Sequence, residues 1–375
     1  MGLLIPKNPK YAEATITFIG LSNSIYGKPQ YVLVNPSDNS TTLKFPGLKY
    51  RRPREGETLE DVAVERFEQQ TGLKVSKRLG LRGIIPGRSR HTNHWIFRNV
   101  FLGVVDGTSA GENDGRTVYM ADAGSGVIKK GIAYELGNSQ NRAIVNWSTP
   151  EDRSVAELAT NCLYNFNWNR LGTTWNRKIP CIGVPSLTSR DLDDKEGCGL
   201  AVSSMMLIYK PTPEDELHVM MVKRKGDKFP GYAGGKIENP EDSSSQNLDP
   251  ISCCAKEGAD EFGFGIMPLG LIGVTCTPID VFSENPESNY NSLVNYSFVA
   301  RPVNPLEVKK CLENPREHLE DKMESYVSES LTEHRDRIFK KQIRMPDMVE
   351  IGKYFFEGKP GDRIPLTQII DSGVY

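Results

Sequence analysis

No stretch of this 375-residue chain supplies the roughly 18 consecutive apolar residues that a membrane-spanning helix needs. No membrane partner is therefore expected. No CxxC pair is present, and the seven cysteines are scattered. An odd count without paired spacing argues against a disulfide framework and for reduced thiols in a cytosol-like compartment. Charge of one sign is not in excess either: 46 Lys and Arg face 48 Asp and Glu, for a net charge of -2. No overall field draws in nucleic acid or an anionic membrane, so any anion binding must be local. The opening MGLLIPKNPKYAEATITF carries no signal-peptide pattern, and Pro6 stands where a myristoylation motif needs Ser or Thr. The expected location is cytoplasmic.

What remains is an ordinary globular composition, 38% hydrophobic and 25% charged, in a chain long for a single core. Strand-like runs ATITFIGLSN and QYVLVNP precede a helical pattern, TLEDVAVERFEQQTG, with Leu59, Val62, Ala63 and Phe67 at helical spacing and Gly72 as its stop. GLRGIIPG and HWIFRNVFLGVV read as further strands, and TPEDRSVAELATNCLYNF as a helix capped by Thr149. The second half repeats this order. VSSMMLIYK and ELHVMMVKRK read as strands, followed by a glycine loop, the helix PISCCAKEGADEFG, and the strands LIGVTCTP and LVNYSFVARPV. The stretch PREHLEDKMESYVSESLTEHRDRIFKKQI reads as helical throughout, followed by a second helix, MVEIGKYFFEG. The period is roughly 180 residues, too long for a solenoid and suited to two copies of one α+β domain. The expected division is residues 1–178, a linker at 179–195, and residues 196–375.

The chemistry concentrates in the second copy. Asp249 before Pro250 is a good helix start. Glu257, Asp260 and Glu261 then share one helical face. Like charges at that spacing repel, and such a face is either solvated or holds a cation; oxygen ligands suit magnesium or manganese. The preceding loop GYAGG has three glycines in five residues and lets backbone approach a ligand. Lys223, Arg224 and Lys225 lie before it and Lys236 after it. Cations around a glycine loop facing carboxylates are what a metal-bound diphosphate requires. Tyr232, inside the loop, is placed to stack on a base.

This pattern resembles the Nudix hydrolases, whose motif is G-x5-E-x7-R-E-U-x-E-E-x-G-U, with U a bulky aliphatic residue. Gly235 and Glu241 match its first part; Lys256, Glu257, Asp260, Glu261 and Gly263 match its second. The spacer between Glu241 and Lys256 is fourteen residues (242–255) where the family has seven. Lys256 replaces Arg, Gly258 replaces the aliphatic residue, and Asp260 replaces Glu. The resemblance implies that Glu257, Asp260, Glu261 and the Gly235 carbonyl bind Mg2+ or Mn2+, and that Glu241 orients Lys256. Glu261 or Glu257 could serve as general base, and so could a later residue such as Glu317, Glu320 or Glu324. It also implies two Nudix-like α/β/α sandwich domains with mixed sheets.

The first copy aligns without gaps over EGETLEDVAVERFEQQTGL, with Glu57 as the first Glu. Glu65 and Arg66 stand in swapped order, however, and Gln69 and Gln70 replace the acidic pair. An amide is a poor magnesium ligand, so this copy is expected to have lost its metal site. The basic run Lys49, Arg51, Arg52, Arg54 could hold phosphate or RNA, or simply be solvated. His91 and His94 lack partners at metal-ligand spacing.

The leading expectation is a metal-dependent pyrophosphohydrolase acting on a nucleoside diphosphate linked to another group: a dinucleotide, a nucleotide sugar, a nucleoside triphosphate or an RNA 5′ end. The alternatives are a module that binds nucleotide or RNA without cutting it, and a structural protein using the fold as an interaction surface. A homodimer is a further expectation.

Overall fold

The computed structural model describes residues 11–23, 29–34, 44–88, 94–106, 118–122, 127–129, 143–144, 155, 179–187, 196–239, 249–279, 290–314 and 323–358. In the first half these form β1 (Glu13–Asn23), β2 (Pro29–Val34), β3 (Gly47–Leu48), β4 (Tyr50–Arg51), α1 (Leu59–Thr71), β5 (Val75–Arg88), β6 (Trp95–Val105), β7 (Val118–Asp122), β8 (Val127–Lys129) and β9 (Ala143–Ile144). Next comes β10 (Cys181–Gly183), and then the second half: β11 (Glu196–Tyr209), β12 (His218–Arg224), β13 (Ala233–Lys236), α2 (Pro250–Phe262), β14 (Ile266–Pro278), β15 (Tyr290–Pro302), α3 (Pro305–Glu313), β16 (Met323–Ser330), α4 (Leu331–Phe339) and α5 (Pro346–Glu357). The class is α+β, with a mixed sheet.

The order of elements is built twice. β1 runs parallel to β6, and β11 runs parallel to β15. β5 returns antiparallel on β6 as β14 does on β15. β2 pairs with β1 and β7, while β12 pairs with β11 and β16. The short glycine strands repeat even in register: Ile16 faces Leu48 and Thr17 faces Gly47, while Ser203 faces Gly235 and Ser204 faces Gly234. Almost every residue of β11 is buried, which explains its near-continuous apolar run: both faces of the strand are covered.

Helix boundaries follow local chemistry. Thr58 caps α1 in a reciprocal capping box with Asp61, and Asp249 caps α2 by accepting from the Ser252 N–H at 2.7 Å. Each helix ends at a left-handed glycine, Gly72 or Gly263. Ser330 starts α4 through a capping box with Glu333.

The halves are joined through their central strands. β1 pairs antiparallel with β11 at Glu13–Leu200 and Ala14–Gly199. Buried polar bonds lock the seam: the Asn291 side chain donates to the Tyr50 carbonyl at 2.8 Å, and Asn99 donates to the Tyr296 hydroxyl at 2.9 Å.

Within the stretch 179–195, β10 runs parallel to β14. Gly183 packs so closely on the Gly56 backbone that a Cβ would sit 2.1 Å from the Gly56 carbonyl oxygen. The segment read as one charged helix contains β16: Met323–Ser330 pairs along the whole of β12, where an open strand edge offers hydrogen bonds that outweigh weak helical propensity. The helix expected over TPEDRSVAELATNCLYNF lies outside the described residues, apart from Val155. Among the described residues no helix is long and apolar enough to cross a membrane.

Candidate active site

β12 delivers Lys223 and Arg224 to the start of the glycine loop, and β13 carries the chain back beneath α2. Gly234 has φ +154°, and a Cβ there would lie 2.3 Å from the Ser203 carbonyl oxygen; only glycine fits so tight a crossing over β11. The loop is thereby pressed against the helix. A Cβ on Gly235 would stand 2.1 Å from Glu257 Oε2, so the Glu257 carboxylate rests on the Gly235 backbone. One turn further along, Glu261 is 1% exposed. Its Oε2 accepts from the Gly234 N–H at 3.1 Å, and its Oε1 accepts from Arg224 Nη2. The same Nη2 lies 3.3 Å from the Gly234 carbonyl oxygen. Gly258 has a packing reason: Met205 fills the space, its sulfur 2.6 Å from where a Cβ would be.

The other expected site residues are placed differently. Asp260, Lys256 and Lys225 are exposed. Lys223 pairs with Glu324 at 2.9 Å, and Glu324 lies on β16 rather than at the start of a helix. Lys236 stands over the Tyr11 ring, 4.5 Å from its centroid. Tyr232 corrects an expectation: it is 1% exposed, and its hydroxyl is bonded to His334 Nε2 at 2.9 Å, so its ring cannot stack on a ligand base. His334 in turn meets Glu329, which Arg337 also holds; His334 and Glu329 are both buried. Glu241, Glu317, Glu320 and His91 lie outside the described residues. Cys253 and Cys254 are buried, and burial pushes the Cys253 thiol up to about 12, which removes it as a nucleophile at neutral pH. His94 is buried beside Glu13 at 3.2 Å.

One neighbour of the site escaped sequence reading. Arg344, in the turn before α5, packs its Nε against Gly231 and reaches Asp227 at 3.5 Å. Burial, followed by the charge of Arg224, lowers its pKa from the ordinary arginine value. An arginine in a connecting turn carries no periodic signal; only the fold brings it here.

The first half offers the counterpart. Gly47, φ +134°, would place a Cβ 2.3 Å from the Ile16 carbonyl oxygen, and its N–H donates to Gln70 Oε1 at 3.0 Å. Gln70 thus makes the bond that Glu261 makes, without the charge. Arg51 is clamped between Glu57, at 2.7 Å, and Glu65, which restores an Arg–Glu pair although the helix carries Glu65 at the Arg position. Arg66 turns to Glu196 at 2.9 Å. Arg51 is therefore already committed to carboxylates and is not open to phosphate or RNA.

The donor set beside Gly234 and Gly235 is carboxylate and carbonyl oxygen, the chemistry of a hard divalent cation. Glu257 and Glu261 are held at the glycines, with Asp260 solvent-facing on the same helix. The donor types suit such an ion, while among the described residues no three His, Cys, Asp or Glu side chains converge on one point.

Strand, glycine strand and helix are built twice in Nudix-like order, with helix carboxylates at the glycines only in the second half. No protein-family model matches the chain, and no curated protein matches it. Among solved structures it is similar to a NUDIX hydrolase from Nitrosomonas europaea, with 14% identity, 45% of this chain and 94% of that chain covered, and a TM-score of 0.30. It is also similar to the NUDIX domain of Shewanella oneidensis NrtR complexed with ADP ribose (13% identity, 42% and 92% covered, TM-score 0.26). A third is a UDP-X diphosphatase (12% identity, 58% and 88% covered, TM-score 0.27). The likeness concerns the fold alone.

Proposed function

We propose that the second half is a Nudix-type hydrolase that cleaves a nucleoside diphosphate linked to another group, with Mg2+ or Mn2+. The observation that carries this reading is the contact of two helix carboxylates, Glu257 and Glu261, with two consecutive glycines, Gly235 and Gly234. Glu257, Glu261, Asp260 and the Gly235 carbonyl would hold the cation. Bound there, it would polarise a phosphoryl oxygen and lower the pKa of the attacking water. Lys225 and Lys236 would bring positive charge to the loop where a diphosphate would lie, and Lys223 and Arg224 would join them on exchanging Glu324 and Glu261 for phosphate oxygens. Glu241 would position Lys256, and Glu320 is a candidate base. The first half, with Gln70 in place of the carboxylate, is a scaffold in this reading.

The test is product release from a panel of ADP-ribose, dinucleoside polyphosphates, nucleotide sugars, nucleoside triphosphates and capped RNA, with and without Mg2+ or Mn2+. Metal-dependent cleavage of one member supports the reading, and no cleavage of any member overturns it. A second reading, nucleotide binding without cleavage, is favoured by the Arg224–Glu261 pair, which already neutralises one expected metal ligand. Metal-independent binding with no product would select it.

A further inference from the structure

Arg224 stands where two kinds of oxygen meet. A single nitrogen, Nη2, contacts both Glu261 Oε1 and, at 3.3 Å, the Gly234 carbonyl oxygen. Helix carboxylate and loop carbonyl are also the donor types available here to a divalent cation. A guanidinium bonded to Glu261 removes a lone pair and most of a charge from any competing ion.

The geometry points to Arg224 as an internal counter-cation that competes with the divalent metal for Glu261, so that metal loading and release of this guanidinium are linked. This rests on the reading of α2 as a metal-holding helix. Three observations support it. First, the arrangement tracks charge: Gln70 makes the same glycine bond in the first half as a neutral amide, whereas the buried carboxylate of Glu261 needs a compensating cation. Second, the hold is incomplete. The Arg224 side chain is 31% exposed, and its Nε is buried with no hydrogen-bond partner among the described residues. Third, Arg344 opposes it. This second guanidinium shares the surroundings of Glu261 and Asp227, and the two like charges act on each other. A side chain held by one carboxylate and one carbonyl, and pushed by a neighbouring cation, is poised to leave when a stronger cation takes the carboxylate. Because the two compete for one group, whatever weakens the arginine's hold strengthens the metal's, by at most the same factor.

The test uses the full chain without nucleotide. Mn2+ binding is measured from the electron paramagnetic resonance signal of free Mn2+ for the wild type, Arg224→Gln and Arg224→Lys, with a thermal melt of each to verify folding. Arg224→Gln is expected to bind Mn2+ about tenfold more tightly, the scale of one charge-assisted hydrogen bond to a buried carboxylate. Arg224→Lys, which keeps charge but loses the planar fork, is expected to fall between. A readout free of mutation is the Arg224 Nε–H resonance in a 15N spectrum, expected to shift as Mg2+ is added to the wild type. Equal or weaker Mn2+ binding by Arg224→Gln, or an Arg224 resonance that Mg2+ does not move, overturns the competition while leaving a metal-dependent hydrolase intact. Absence of Mn2+ binding in the wild type and both variants overturns the competition and the proposed function together.

Discussion

Helices α1 and α2 are each 13 residues long, start from a side-chain cap, end at a left-handed glycine, and lie over a glycine strand in the same register. They differ in what they present to that strand. Gln70 accepts from Gly47 and Glu261 accepts from Gly234, at 3.0 and 3.1 Å. The glycine bond therefore belongs to the scaffold, since it survives loss of the carboxylate. The negative charge, and the Arg224 that answers it, belong only to the second half. A second exchange shows the same logic. Phe67 packs on Phe18 in the first half, rings 4.8 Å apart, whereas Gly258 yields its space to Met205 in the second. The helix gives up its bulk at this position, and the flexible Met205 side chain occupies the space.

The sharpest way to break this comparison is to make the second half resemble the first. Glu261→Gln retains an acceptor for the Gly234 N–H but removes the charge. Metal-dependent turnover is expected to fall by about 100-fold or more, with the fold kept, as read by product release and circular dichroism. Undiminished turnover would erase the functional distinction between the helices.

Next in size are the shared glycines. Gly47→Ala and Gly234→Ala each force a Cβ to 2.3 Å from a backbone oxygen, and each is expected to cost about 2–4 kcal/mol in urea unfolding. If only one variant is destabilised, the two crossings are not equivalent.

The converse exchange, Gln70→Glu, places a carboxylate at a site only 1% exposed without the arginine that Glu261 has. A loss of about 1–3 kcal/mol at pH 7 is expected, with no gain of turnover. Unchanged stability would show that the first half tolerates charge as the second does.

The smallest effect concerns Arg51. Its hydrogen bond to Glu65 holds that carboxyl below its ordinary value of 4.5. A lowered folded-state pKa means the native chain favours the ionised form. The stabilisation is therefore present above about pH 4.5 and lost as the pH falls below it. Arg51→Gln is expected to cost roughly 1 kcal/mol at pH 7, discounted because Glu65 is partly exposed, and to flatten the decline in acid. An unaltered acid profile, measured by denaturant melts across pH, would show that Arg51 does not stabilise the ionised carboxyl.

Much of the fold was legible in the sequence because it is written locally. Helix starts at Thr58 and Asp249 and stops at Gly72 and Gly263 are encoded within a few residues. The repeat of element order was visible for the same reason. β16 was not, because Met323–Ser330 is polar and takes its structure from the free edge of β12 rather than from its own propensity. Tyr232 sat among glycines and looked available, yet the helices of the C-terminal stretch cover it. Arg344 had no motif at all.

By itself the sequence determined two acidic or amide-bearing helices, their caps, and the glycines that let each helix approach its strand, since periodicity, capping and backbone freedom act over short distances. Only the tertiary structure decided which charges meet. Arg224 reaches Glu261 across 37 positions of chain, Arg51 comes between Glu57 and Glu65, and β1 joins β11. Such contacts depend on how distant segments pack, and packing is settled by the whole core at once.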